Sequence, residues 1–156
     1  VGFERVPGYT TRFPRPGEID GVHYHFLTVE QFCRKGDQLV GKTLLGNFWY
    51  GVSLDDLKEA LDLGKQIVIQ PIVETAELLK GQFPKALLVY LTVSSTSILV
   101  ERMKKRGMDI KEIAKRLANK ELMAEPTSLF DLVVVNDDNQ LGSTVQCIIE
   151  FTERNE

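Results

Sequence analysis

The sequence predicts an α/β protein in which a parallel sheet is covered by helices and a small antiparallel insert occupies part of the first half. Three observations predict it. The second half alternates short β-branched apolar runs with helical periods over short connections, the usual mark of parallel strands and crossover helices. The first half carries an alternating run followed by two strand-like runs separated only by Gly46-Asn47, a hairpin signal. The 156 residues, 43% hydrophobic and 26% charged, suffice for one domain over 1–156.

In chain order, Val22 to Leu27 alternates as a half-buried strand does, and Val29 to Lys35 has a helical pattern. Leu39 to Leu45 and Phe48 to Val52 form the hairpin, so the insert spans about 22–52. Ser53 followed by Asp56 is a capping signal for a helix through Leu54 to Leu63, which Gly64 closes. Ile67 to Ile72, Ala86 to Val93 and Leu132 to Val135 are apolar runs suited to strands buried on both faces. Helical patterns run from about Glu74 to Gly81, Thr96 to Arg106, Ile110 to Ala124 and Gln140 to Glu153. No repeat, low-complexity tract or linker interrupts them.

Nineteen basic against 22 acidic residues give a net charge of −3 and a pI near 5.5. That balance excludes the broad cationic surface of a general nucleic-acid binder, so any anion site is local. No run approaches the roughly 18 apolar residues of a membrane span. The start, Val1-Gly2-Phe3-Glu4-Arg5, lacks the basic-then-apolar profile of a signal peptide, and the expectation is a soluble cytoplasmic protein that binds neither nucleic acid nor membrane. Cys33 and Cys147 share no CxxC spacing; both are expected reduced, in the core or on a helix flank, with no metal site.

Gly36-Asp37-Gln38-Leu39-Val40-Gly41-Lys42-Thr43 satisfies the phosphate-loop pattern GxxxxGK[ST]. The chemistry of that pattern needs a buried strand before it and a helix starting at the lysine. Here a polar helix precedes it and a hairpin follows, so the match reads as coincidence.

A stronger signal is Tyr9-Thr10-Thr11-Arg12-Phe13-Pro14-Arg15-Pro16-Gly17-Glu18-Ile19-Asp20-Gly21-Val22-His23-Tyr24-His25-Phe26. Pro14 and Pro16 stiffen the loop and hold Arg12 and Arg15, whose guanidinium forks match phosphate oxygens. Read alone, it is either an anion clamp or an exposed loop with two solvated arginines.

This segment resembles the substrate-phosphate loop of guanylate kinases, TTRxPRxGExxGxxYxF. Gly46-Asn47-Phe48-Trp49-Tyr50-Gly51 is similar to that family's GNYYG hairpin with one residue inserted, 102–116 resembles its lid, and Val133-Val134-Val135-Asn136-Asp137-Asp138 its VxVNDD strand end. The resemblance covers nearly the whole chain in the right order. It implies a P-loop nucleoside-monophosphate-kinase-like fold with a small acceptor-binding insert. It implies that Arg12, Arg15, Tyr24 and Tyr50 hold the acceptor's monophosphate, that Arg102, Arg106 and Arg116 act on the transferred phosphoryl, and that Asn136 and Asp138 lie near the adenine of ATP.

The departures from the family matter as much. Its opening strand, P-loop and helix would precede Phe3-Glu4-Arg5-Val6, which looks like its second strand. Its guanine-reading positions hold Gly8, Val40 (counted through the inserted hairpin), Val52, and Gln70 with Ile72, none of which supplies a carboxylate. Guanine specificity is therefore not carried over. Two functions remain open: a phosphotransferase moving the γ-phosphate of ATP, with Mg2+, to a nucleoside monophosphate, or an inactive scaffold module that binds a phosphorylated peptide. A third reading is an α/β domain with no surviving site.

Overall fold

The computed structural model describes residues 2–118 and 128–155. They divide into two compact units, Val1–Ala86 and Leu87–Glu156. The first contains β1 (Phe3–Arg5), β2 (Gly8–Thr10), β3 (Tyr24–Phe26), α1 (Val29–Lys35), a 3-10 turn (Gly36–Gln38), β4 (Leu39–Leu45), β5 (Phe48–Ser53), α2 (Leu54–Asp62), β6 (Gln66–Val68) and α3 (Val73–Gln82). The second contains β7 (Val89–Thr92), α4 (Thr96–Lys105), α5 (Ile110–Leu117), β8 (Leu132–Val135) and α6 (Leu141–Glu153). The expected helix from Ile110 to Ala124 is present as α5 in its first part, and its residues 119–124 lie outside the described residues.

In the first unit β2 to β5 form a four-stranded sheet in the order β3-β2-β5-β4. The antiparallel hairpin turns at Gly46-Asn47, with Gly46 at φ +66°, the backbone a type II′ turn needs at its first central residue. β3 adds a parallel edge, Gly8 opposite Tyr24 and Thr10 opposite Phe26. The connection 11–23 is long enough to return the chain to the same end of the sheet, which a parallel neighbour requires. The sheet thus recruits Gly8–Thr10, upstream of the expected 22–52 boundary, as an interior strand.

Local chemistry accounts for the helices around it. Thr28 opens α1 with a full capping box: its Oγ1 accepts from Gln31 N at 3.2 Å and Gln31 Oε1 accepts from Thr28 N at 2.8 Å. Ser53 caps α2 by accepting from Asp56 N at 3.1 Å, the pairing the sequence indicates, and Gly64 at φ +73° ends it. α2 buries Leu57 and Ala60, and α3 buries Leu79, against Val6 and Val52. A second cluster, Tyr9, Phe32 and Leu39 with Leu27 and Trp49 against it, fills the sheet's other packing layer. Burying Leu57 to 2% exposure alone stabilises by about 2 kcal/mol.

The parallel pairing is present in both units, β1 with β6 and β7 with β8. Burial on both faces is not: Val68, Leu91, Val133 and Val135 are 49%, 47%, 46% and 46% exposed. Each of these strands has a single hydrogen-bonded neighbour among the described residues, and only Val134 of β8 is buried. β6 also stops short of the expected Ile72, because Ile69 turns into the first unit's core and Pro71 offers no amide to a ladder. Cys33 and Cys147 are free and exposed, on helix flanks and not in the core.

Candidate functional site: a caged arginine beside two tyrosines

Arg12 leaves the end of β2, between the strands that carry Tyr24 and Tyr50. Thr10 pairs with Tyr50 on β5, and Gly8 with Tyr24 on β3, so the two phenols flank β2 on either side. Their rings meet edge to face at 6.2 Å. A Cβ at Gly8 would stand 3.2 Å from Gly51 O on β5, tighter than an ordinary contact, and in ordinary contact with the Tyr24 ring at 3.7 Å. The Arg12 guanidinium lies 5.7 Å from the Tyr24 ring centre and 5.6 Å from that of Phe26.

Glu18 holds the guanidinium in place. Arg12 Nη1 donates to Glu18 Oε2 at 2.8 Å and Nη2 to Oε1 at 2.9 Å, and Nη1 also donates to Phe13 O at 2.7 Å. Their side chains are 10% and 17% exposed. The bidentate bond from Arg12 draws the Glu18 carboxyl down to about 2, with the Arg15 backbone N–H adding to it. The same bond raises the Arg12 guanidinium, and the Tyr50 oxygen contributes. Burial raises the Tyr24 phenol, and Tyr50 adds to it.

Arg15 joins through its backbone. Its N–H donates to Glu18 Oε2 at 2.6 Å, its carbonyl accepts from Glu18 N at 2.9 Å, and its side chain is exposed on the rim. Pro14 and Pro16 stiffen the loop as expected of them, but the carboxylate of Glu18 does more to position Arg12, since it grips it directly. Glu18 is the residue that reasoning passed over, although its place six residues after Arg12 in one tight loop was a usable signal.

Beneath the clamp, Tyr9 is buried and donates to Asp56 Oδ2 at 2.8 Å, tying β2 to α2. His25 stacks on one face of its ring at 4.5 Å, and Lys35 Nζ lies 4.8 Å from the ring centre. Burial, with Asp56 as acceptor, pushes the Tyr9 phenol well above its ordinary value, so Tyr9 stays neutral and structural.

The phosphate-loop pattern at Gly36 to Thr43 folds as a 3-10 turn running into β4, and Lys42 Nζ bends back to Gly36 O at 3.0 Å. No helix starts at this lysine, so the segment is not a phosphate cradle. At the positions expected to read a base, Val52 is buried and Val40 packs on the same core. β4 bulges between Val40 and Thr43, where Gly41 sits at φ +58° and its carbonyl accepts from Thr75 Oγ1 at 3.1 Å.

In the second unit Arg102 Nε donates to Asp138 Oδ1 at 2.9 Å and Nη2 to Asn136 O at 2.7 Å, with Lys105 3.7 Å from the other Asp138 oxygen. Three residues that the resemblance assigns to two tasks thus form one cluster at the end of β8. Arg106 is exposed at the C-terminus of α4, one turn from Arg102, and Arg116 is half-buried in the last turn of α5. Asp137, which sequence reasoning left without a task, accepts from Ser94 N at 2.9 Å and joins the ends of β7 and β8.

The guanylate kinase family model matches residues 3–153. The chain belongs to the guanylate kinase family. It is 38% identical over 133 residues to the guanylate kinase of Helicobacter pylori, covering 83% of this chain and 64% of that one. The guanylate kinase of Vibrio parahaemolyticus is 39% identical over 134 residues, with the same coverage. That of Gloeobacter violaceus is 36% identical over 155 residues, covering 93% of this chain and 74% of its own. The chain thus spans about two thirds of the length of the curated relatives it matches. A crystal structure of guanylate kinase from Anaplasma phagocytophilum superimposes with a TM-score of 0.67 over 97% of this chain and 76% of that one, at 21% identity, which establishes the P-loop nucleoside-monophosphate-kinase fold.

Proposed function

We propose that the protein transfers the γ-phosphate of ATP to a nucleoside 5′-monophosphate whose phosphate sits on Arg12, Arg15, Tyr24 and Tyr50. The observation that carries the reading is the confinement of the Arg12 guanidinium beside two phenols, an array of donors that suits a phosphate dianion. Its relatives, named guanylate kinases, support the reaction class. No general base is called for, because an ionised phosphate is already a nucleophile; catalysis rests on positioning and charge stabilisation. Arg102, Arg106 and Arg116 are the arginines proposed for the transferred phosphoryl.

ATP and Mg2+ are the proposed co-substrate and ion. Asn136 fits an adenine contact: its side-chain oxygen is committed to Thr144 Oγ1 at 3.3 Å, which leaves its amide hydrogens to donate to a ring nitrogen. No group of three or more His, Cys, Asp or Glu side chains among the described residues is arranged to hold a metal. Mg2+, entering with ATP, would neutralise charge on its phosphates. The base is the variable of the proposal. Val40 and Val52 offer it no hydrogen bonds, so discrimination is expected to be modest.

The test is ADP release by the full-length protein with ATP, Mg2+ and GMP, AMP, CMP, UMP or dTMP in turn. Turnover of at least one is expected, with Arg12→Ala lowering kcat/KM by about 100-fold, on the order of two lost charge-assisted hydrogen bonds. Absence of turnover on all five, with a phosphoserine peptide bound through Arg12, would assign the clamp to a scaffold instead.

A further inference from the structure

We propose that Glu18 is a positioning residue that determines which edge of Arg12 meets the acceptor phosphate, an inference that rests on the phosphate-clamp reading above. A guanidinium presents two forked edges, one of Nη1 and Nη2 and one of Nε and Nη2. Glu18 occupies the first with both oxygens, and the Phe13 carbonyl takes the outer Nη1 hydrogen. The second edge is what Glu18 leaves for a ligand, with the Tyr50 oxygen also beside the guanidinium, and it is itself a two-hydrogen fork matched to two phosphate oxygens.

The carboxylate can impose this choice because it is itself fixed. Glu18 Oε2 accepts from Arg15 N, and Glu18 N closes a turn onto Arg15 O, with Gly17 at φ +84° between them. Rings of Tyr24 and Phe26 pack side by side against the guanidinium, so turning the fork would mean breaking both bonds to Glu18 beside two aromatic rings. Order is thereby established before the ligand arrives, and binding forgoes the loss of side-chain freedom that a loose arginine would suffer.

The opposite role for Glu18 makes the opposite prediction. A carboxylate that merely competes with phosphate for Arg12 would repel the dianion, and removing its charge would tighten binding. Glu18→Gln keeps the shape and one acceptor oxygen while deleting the charge and the second strong acceptor. Calorimetric titration of GMP into the full-length protein, with guanosine as the phosphate-free control, separates the two.

Expected is about tenfold weaker GMP binding in Glu18→Gln, no further loss when the substitution is added to Arg12→Ala, and no change for guanosine. Unchanged or tighter GMP binding overturns the proposal. So does an equal loss in the Arg12→Ala background, which would mean that Glu18 serves only to fold the loop. Where Glu18→Gln loses its folded circular dichroism, Glu18→Asp replaces it, with the carboxylate set back from the Nη atoms by one methylene; a smaller loss is expected, and none overturns the proposal. If the wild type binds another of the five monophosphates in place of GMP, that nucleotide and its nucleoside are the probes; binding of none of the five, or none lost in Arg12→Ala, sinks the clamp reading and the Glu18 role together. A responsive Arg12 with a silent Glu18 sinks the Glu18 role alone.

Discussion

At the scale of single residues, Arg12 and Glu18 form a half-closed pair whose behaviour with pH can be worked out. Glu18 has its carboxyl lowered from 4.5 to about 2 by Arg12. A folded-state value below the unfolded one means that the pair's stabilisation is fully present above about pH 4.5 and is lost as pH falls toward 2. Thermal melts between pH 6 and pH 2 are therefore expected to show a steeper fall in Tm for the wild type than for Glu18→Gln across the lower part of that range; parallel curves would contradict the pairing. The arginine was legible in the sequence because it stands in a motif. Its partner was less so: Glu18 stands six residues on in the same loop, but spacing alone does not say which cation a glutamate grips.

At the scale of elements, the β4 bulge shows how one position governs packing between a strand and a helix. Gly41 adopts φ +58°, and a Cβ there would lie 2.3 Å from Thr75 Oγ1 and 2.7 Å from its Cβ, inside a buried contact with α3. Gly41→Ala would suffer backbone strain and overpacking together, an expected loss of about 2–4 kcal/mol in urea denaturation. A loss below about 0.5 kcal/mol, the usual range for surface changes, would show that the bulge relaxes freely. Helix starts were legible, Ser53 for α2 above all, because a cap is a contact between residues three apart. The bulge was not, as it depends on how β4 registers against β5. The parallel placement of β3 beside β2 was hidden for the same reason: Val22 to Leu27 alternates equally well whichever way its neighbour runs.

At the scale of the molecule, buried apolar side chains concentrate in the first unit, from Val6 to Leu79, while the second buries only Ile113 and Val134 among its described hydrophobics. Opening free energy follows such burial, so native-state hydrogen exchange is expected to be slowest in β2 and β5 and faster in β7 and β8. The reverse order would place the stable core elsewhere. No helix among the described residues is long and apolar enough to cross a membrane.

The sequence by itself determined the α/β class, the hairpin at Gly46-Asn47, most helix positions and the family, because each is written in spacing, caps or motifs that lie close together along the chain. Tertiary structure alone decided that Tyr24 and Tyr50 flank Arg12, that Glu18 grips it, and that Arg102 binds Asp138 across 36 positions. Such facts depend on strand register and on which charges meet across a fold, and hydrophobic periodicity is silent on both.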